Sequence, residues 1–472
     1  MANSYIQQIQ RLSSDFFSNK GRSPSMFIQT FGCQMNDRES EKLQGLLFAM
    51  GYVEAYSEEE ADLVMYNTCC VRENAENKVY GRLGHLKTYK IKQPSKVIVV
   101  CGCMPQRKEV IEELNRSCRH VDIIFGTFNK HHFPRLLLDH LTHGKRVIEV
   151  LEDHIEHEDS SLSEFENQTT RFLPHKAGVT VMHGCDNYCS YCIVPYVRGR
   201  EKSRNPEEIL KEVHKLASDG VKEIMLLGQN VNSYGHGLAH PISFAQLLTL
   251  INDVPGLRRI RFTTSHPKDL SLELIEAVKN CNKVCKHIHL PLQSGSNSIL
   301  KAMNRGYTGK QYIEQLERIR AAVPDIAVTT DIIVGFPGET EEDFADTLEI
   351  VQQAHFTGAF TFIYSHRAGT PAANLDKDVP KEVVKERFKR LVDFINSLQA
   401  AHNHKYLNKT VEVMVDGKSD KPERYTGRTD DNVLVHFESE KDITPGDIVN
   451  VEINGYKTFY MVGNTNPHLK RV

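Results

Sequence analysis

The chain has 472 residues, of which 40% are hydrophobic and 25% charged, with a formal net charge of −3. That length exceeds one ordinary core and predicts two or three domains, one of barrel size. The composition excludes a disordered or membrane-embedded chain, and the near-neutral balance excludes a global field that draws in a polyanion, so any nucleic-acid contact must come from local basic patches.

Residues 1–24 are polar, carry no strand signal and read as a loose N-terminal extension. No run of about 18 apolar residues occurs. MANSYIQQIQRLSSDFF also lacks the layout of an export signal, so a cytoplasmic location is expected. Eleven cysteines in such a chain point to metal or redox chemistry rather than disulfides.

From Met26 one pattern repeats three times: a short apolar run, a cysteine in a loop, then a segment with helical period. MFIQTF leads to Cys33, DLVMYNT to Cys69 and KVIVVCG to Cys103. Alternation of this kind predicts an α/β domain over 25–150 with a parallel sheet. Loops after parallel strands open on one edge, so the three cysteines converge there, near helix N-termini that favour thiolates.

An acidic stretch over 151–171, made up almost wholly of EDHIEHEDSSLSEFENQTTR, reads as a linker. Over 172–402 six strand candidates follow, GVTVMHG, EIMLLGQ, RRIRFTT, HIHLPLQ, AVTTDIIVGF and AFTFIYS, separated by helical segments; they predict a partial (β/α)6 barrel. The unusual residues lie where those strands end: Cys185, Gln229, Asn230, Gln293, Ser294 and the GFPGET turn, as chemistry does in β/α barrels. Segments over 403–470 alternate apolar and polar residues around glycine turns and predict a small all-β, OB-like barrel, a shape suited to single-stranded nucleic acid.

Cys185, Cys189 and Cys192 form C-x3-C-x2-C just past the first barrel strand. Three thiolates hold three irons of a 4Fe-4S cluster and leave the fourth open to an exogenous ligand. Such an iron can chelate S-adenosylmethionine and pass one electron to its sulfonium. A structural zinc site would need a fourth nearby ligand, and Tyr188 and Tyr191 read as shielding aromatics.

With these motifs in hand, the chain resembles the radical-SAM methylthiotransferases over nearly its whole length. The resemblance rests on TFGCQMN, YNTCCVRENAENKVYGRLGHLK, CGCMPQR, the Cys185 trio, LLGQNVNSYG, TSHPKDL, HLPLQSGSNSILKAMNRGYT, GFPGETEEDF and a terminal segment like a TRAM barrel. It implies that Cys33, Cys69 and Cys103 bind an auxiliary 4Fe-4S cluster and that S-adenosylmethionine acts both as methyl donor and as radical source. The activity it implies is methylthiolation of C2 of N6-isopentenyladenosine at position 37 of tRNA. The resemblance also implies that VREN, at 71–74, separates that branch from sister enzymes acting on threonylcarbamoyladenosine or on a ribosomal-protein aspartate. An iron-sulfur electron carrier or RNA-binding module without turnover is the non-enzyme alternative. Implied partners are the tRNA anticodon stem-loop, a reducing donor such as flavodoxin or ferredoxin, and iron-sulfur assembly or sulfur carrier proteins. No heptad pattern asks for a partner chain, and a monomer is expected.

Gln229, Asn230, Gln293, Ser294, Ser296 and Arg305 supply amides, hydroxyls and a cation suited to S-adenosylmethionine. Arg424, Arg428 and Lys457 are candidate RNA contacts on the terminal barrel, and KEVVKERFKRL reads as a solvated basic face that could also meet RNA. His287 and His289, two apart on a strand, read as a hydrogen-bonded wall rather than a metal pair. Cys70, Cys101, Cys118, Cys281 and Cys285 read as small buried hydrophobes.

Overall fold

The computed structural model describes residues 2–70, 73–152, 165, 170–419 and 424–465. The chain divides into two compact units: Met1–Phe172 with His183–Asp186 and Ile193–Arg200, and Leu173–Met182 with Asn187–Cys192 and Glu201–Val472. Most of the stretch read as a linker, and the Val71–Arg72 half of VREN with the side chains of the other half, lie outside the described residues.

The first unit is built on six parallel strands: β1 (Ser25–Thr30), β2 (Val53–Glu54), β3 (Leu63–Thr68), β4 (Val97–Gly102), β5 (Ile123–Phe125) and β6 (Val147–Glu149). Their order is β2-β1-β3-β4-β5-β6. Every residue of β3 and β4 is buried, as expected of parallel strands covered on both faces. Period-two alternation sends Met65, Val99 and Ile123 to one core and Val64, Ile98 and Ile124 to the other.

The N-terminal extension is not loose. Ala2–Lys20 is a helix that places Ile9 in the first of these cores, with Ser13 Oγ donating to Met50 O at 2.8 Å and Gln10 Nε2 to Ala49 O at 2.6 Å. Its apolar stripe is narrow, and flanking glutamines and serines mask it in the sequence.

The second unit carries the six expected parallel strands: β7 (Lys176–Thr180), then, beyond the two-residue strands β8 (Met182–His183) and β9 (Lys202–Ser203), β10 (Glu223–Leu227), β11 (Arg259–Phe262), β12 (His287–His289), β13 (Ala327–Val334) and β14 (Gly358–Ile363). The order is sequential, β7-β10-β11 and β12-β13-β14, joined by a parallel bridge between Ile260 and Val284. Ile224, Leu226, Ile260, Ile288, Val328 and Ile332 face the surrounding helices in one apolar core.

A closed five-stranded barrel follows: β15 (Thr410–Lys418), β16 (Arg424–Arg428), β17 (Leu434–Glu438), β18 (Ile448–Tyr456) and β19 (Tyr460–Thr465), in the order β15-β16-β17-β19-β18. Its alternating Val413, Val415, Tyr425, Val435, Phe437, Val451 and Ile453 fill the interior.

Two arginines on β11 fasten this small barrel to the larger sheet. Arg259 Nη1 donates to Arg428 O at 2.7 Å, while Arg261 donates to Asp430 O at 2.8 Å, Thr429 O at 2.7 Å and Glu223 Oε2 at 2.9 Å. Arg261 and Glu223 are both buried. Arg261→Met would leave Glu223 with Lys176, at 3.1 Å, as its remaining ion-pair partner and strip a donor from two carbonyls, so a loss of about 1–3 kcal/mol is expected, read as a lower denaturant midpoint by circular dichroism.

The helix Lys381–His404 contains KEVVKERFKRL. Val384, Leu391 and Ile395 are buried along it, and its arginines are engaged within the unit: Arg387 with Glu339 at 3.1 Å and Arg390 with Glu341 at 2.6 Å. Glu339, from the GFPGET turn, also accepts from the Gly335 N–H at 2.9 Å, so that turn and helix form one joint.

Candidate functional site

Three neighbouring strands deliver the first cysteine trio. Cys33 follows β1 and is the N-cap of the helix Gln34–Ala49, Cys69 follows β3, and Cys103 follows β4 and caps a single 3-10 turn. Cys33 is the exposed member; Cys69 and Cys103 are buried. Gly32 and Gly102 let the loops approach this closely. Their φ angles are +127° and +98°, and a Cβ at Gly32 would overlap Cys69 while one at Gly102 would overlap Thr68 O.

The helix Gln34–Ala49 is tied to the strand ends through Asn36. Its Nδ2 donates to Phe31 O at 3.0 Å and Thr68 O at 2.9 Å, and Asn67 Nδ2 donates back to Asn36 O at 2.9 Å.

The electrostatics favour thiolates here. A hydrogen bond from Cys69, with help from the Arg198 guanidinium, draws the Cys33 thiol well below its ordinary range. A hydrogen bond from Cys70 does the same for Cys103, which also feels Arg198 and Lys130. Cys70 is pushed up as the donor in that pair, and burial pushes Cys101, Cys118 and Cys285 up as well. Those residues and Cys281 are buried, as expected of small packed side chains. None of the eleven cysteines is in a disulfide.

Among the described residues, no three Cys, His, Asp or Glu side chains converge on a single metal ion. A four-iron cluster places each thiolate on a different iron, so its ligands stand further apart than those of one ion. The depressed thiols of Cys33 and Cys103, with Cys69 at the strand end between them, fit that cluster.

In the second trio, Cys185 belongs to the first unit, where its N–H donates to Gly199 O at 3.1 Å. Cys189 and Cys192 belong to the second unit, on a loop held by the turn after the helix Asn297–Ala302. Ser190 donates through N–H to Met303 O at 3.0 Å and through Oγ to Ala302 O at 2.8 Å, and Asn304 Nδ2 reaches Tyr188 O at 3.1 Å. Tyr191 packs against the apolar cluster of Ile299, Met303 and Phe336, whereas Tyr188 is exposed.

The candidate S-adenosylmethionine residues divide in two. Gln229 Oε1, Asn230 Oδ1 and Gln293 Oε1 are buried without a hydrogen-bond partner among the described residues. Ser294, Ser296 and Arg305 are engaged internally: Ser294 with Thr347 at 3.3 Å, Ser296 with Asp343 at 2.5 Å, and Arg305 with Cys189 Sγ at 3.3 Å and Pro291 O at 2.9 Å.

Sequence reasoning missed Asn232, Ser265 and His266, which also carry unpartnered buried atoms. Burial drives the His266 pKa down to about 2, so its ring is neutral. Their place in LLGQNVN and TSHPKDL, just past β10 and β11, was the available signal. All six orphaned side chains lie in loops after β10, β11 and β12, which open on one edge of the sheet. Such atoms want a polar ligand with both donors and acceptors, which suits S-adenosylmethionine. His287 Nε2 and His289 Nδ1 both meet Thr329 Oγ1, at 2.9 and 3.0 Å, the hydrogen-bonded wall expected.

Residues 179–351 match the radical SAM superfamily, 25–126 the uncharacterized protein family UPF0004 and 404–464 the TRAM domain. The chain is 51% identical over 461 residues to the tRNA-2-methylthio-N(6)-dimethylallyladenosine synthase of Acetivibrio thermocellus, covering 98% of this chain and 95% of that protein. It is 48% identical over 460 residues to the synthase of the same name from Clostridioides difficile, covering 97% and 95%.

The chain belongs to the tRNA-2-methylthio-N(6)-dimethylallyladenosine synthase family. Radical S-adenosylmethionine methyltransferase TsrM from Kitasatospora setae shares the fold. In two structures its TM-scores are 0.53 and 0.51 at 14% and 13% identity, covering 75% and 74% of this chain and 77% and 75% of that one. Members of this family are radical SAM enzymes that use S-adenosylmethionine and 4Fe-4S clusters. No helix among the described residues is long and apolar enough to cross a membrane.

Proposed function

We propose that this chain methylthiolates C2 of N6-isopentenyladenosine at position 37 of tRNA. The observation that carries the reading is the set of three cysteines at the ends of β1, β3 and β4, present in addition to the C-x3-C-x2-C trio. One cluster suffices for radical chemistry; a second thiolate trio provides for sulfur delivery.

Cys33, Cys69 and Cys103 hold the auxiliary cluster, and Cys185, Cys189 and Cys192 hold the one that meets S-adenosylmethionine. When bound, these groups supply the electron, the radical chemistry that an inert C2–H bond requires, and the sulfur and methyl that are transferred. Gln229, Asn230 and Gln293 orient the polar parts of S-adenosylmethionine, with Ser294, Ser296 and Arg305 shaping the loop behind them. Arg305 also fixes the Cys189 sulfur. The adenine must leave the anticodon-loop stack, at a cost of a few kcal/mol.

The TRAM barrel supplies the RNA contacts. Lys457 is exposed between the exposed aromatics Tyr456 and Phe459, a cation flanked by stacking surfaces. Arg424 is half-buried and pairs with Glu438 at 2.9 Å, and Arg428 bonds its own turn through Asn432 O at 3.1 Å. Replacing Tyr456 and Phe459 by alanine is expected to weaken tRNA binding by about 1–3 kcal/mol per stacked base, with deoxyadenosine formation in the absence of tRNA unchanged; a binding titration reads the first and chromatography the second.

A cytoplasmic location, a flavodoxin- or ferredoxin-like donor and a sulfur-supplying partner complete the reading. Nucleoside analysis of tRNA from cells lacking the chain tests it: methylthio-isopentenyladenosine should vanish and isopentenyladenosine accumulate. Normal methylthio levels would refute it, and accumulation of unmodified threonylcarbamoyladenosine would point to the sister branch.

A further inference from the structure

Arg198 lies six residues past Cys192 in the sequence, yet it belongs to the first unit. The short helix Val194–Arg198 is seated there by Ile193 and Val197, which pack in the same apolar cluster as Cys70 and Cys103. Thr127 Oγ1 anchors it further by donating to Val197 O at 2.5 Å.

The guanidinium is buried and its bonds are directional. Nη1 donates to Glu39 Oε1 at 2.9 Å, and Nη2 donates to Asn36 Oδ1 at 2.7 Å and Glu39 Oε2 at 3.3 Å. The same Asn36 oxygen lies 4.0 Å from Cys33 Sγ. Glu39 is also paired with buried Lys130. Burial alone would raise the Glu39 pKa, but Arg198 and Lys130 hold its carboxyl down to about 2, so it is ionised.

Two buried cations therefore share one carboxylate, leaving one positive charge in excess. A lone ion pair would need only Lys130 or Arg198, and an uncompensated buried charge is strongly disfavoured. The surplus lies beside the cysteine trio: the Asn36 oxygen that Arg198 holds is 4.0 Å from Cys33 Sγ, and Val197, next to Arg198, packs in the same cluster as Cys103.

We propose that Arg198 is a positioning residue for the auxiliary cluster, its guanidinium supplying the buried positive charge that balances the thiolates of Cys33, Cys69 and Cys103. This rests on the reading of those cysteines as cluster ligands. The stretch that carries Cys192 thus also delivers the counter-charge for the other trio. Removing that cation makes an electron harder to add; removing the Glu39 charge makes it easier.

The test uses the full chain carrying Cys185→Ala, Cys189→Ala and Cys192→Ala, reconstituted anaerobically so that only the first trio can hold iron, with iron assay and a redox titration followed by electron paramagnetic resonance. Arg198→Met should shift the midpoint potential negative, or release iron from a chain whose circular dichroism is unchanged. Arg198→Lys should lie close to the parent, and Glu39→Gln should shift positive. Opposite signs would not arise from a merely structural role. If Arg198→Met does not fold, Glu39→Gln and Arg198→Lys decide. Potentials equal to the parent's at full iron in Arg198→Met or Glu39→Gln would overturn the assignment of Arg198 alone. A parent that binds no iron would overturn the ligand reading and this inference with it.

Discussion

Replacing any one of Cys33, Cys69 or Cys103 by serine is expected to abolish methylthio transfer while deoxyadenosine still forms from S-adenosylmethionine. A serine hydroxyl does not ionise near neutral pH, so it cannot stand in for a thiolate ligand. The three positions also have no substitute nearby of equal quality: Cys101 is a β4 residue whose side chain is buried in the apolar core, and Cys70 is held as a hydrogen-bond donor to Cys103. Iron should fall by roughly half, since one of two four-iron clusters is lost. Cys70→Ala is the contrast and should keep both iron and transfer. Chromatography of digested tRNA and of deoxyadenosine separates the two outcomes. Transfer that survives Cys69→Ser but fails in Cys70→Ala would move the ligand by one residue.

Arg305→Met is expected to slow cleavage of S-adenosylmethionine by about 10–100-fold, the usual effect of removing a group that holds a metal ligand in place. Each arm of this buried guanidinium is engaged: Nε with Tyr307 OH at 3.0 Å, Nη1 with Cys189 Sγ at 3.3 Å and Nη2 with Pro291 O at 2.9 Å. The bond to sulfur sets the orientation of Cys189 and places positive charge beside it. Arg305→Lys keeps the charge but cannot reproduce three fixed directions, so it should recover only part of the rate. Single-turnover deoxyadenosine formation reads the effect. An unchanged rate with Arg305→Met would leave this residue a purely structural part.

Much of the fold was legible because its signals are local. The runs LVMYNT and VIVVCG are buried throughout, as parallel strands covered on both sides are, while MFIQT beside them is buried only at Met26, and each run ends in a loop that carries a cysteine. Six strand candidates of the radical SAM region and the period-two pattern of the TRAM barrel were visible on the same grounds.

What stayed hidden depends on partners far apart in the sequence. Nothing near Arg198 announces that it will pair with Glu39, and Asn36 looks like an ordinary first-turn residue until Phe31, Thr68 and Arg198 close on it. KEVVKERFKRL looks like a free basic face because its acidic partners Glu339 and Glu341 lie more than one helix away. Ser294 and Ser296 read as ligand groups from their motif, while the structure gives their hydroxyls to Thr347 and Asp343. Conversely, His266 and Asn232 look like ordinary loop residues in the sequence, while the fold buries His266 Nε2 and the Asn232 amide without partners among the described residues.

The most direct test of two thiolate trios in one chain is the iron and acid-labile sulfide content of the anaerobically reconstituted protein. Two clusters predict about eight irons per chain, falling to about four in Cys33→Ser and to about four in Cys189→Ser. A value near four in the unaltered chain, unmoved by Cys33→Ser, would contradict the account.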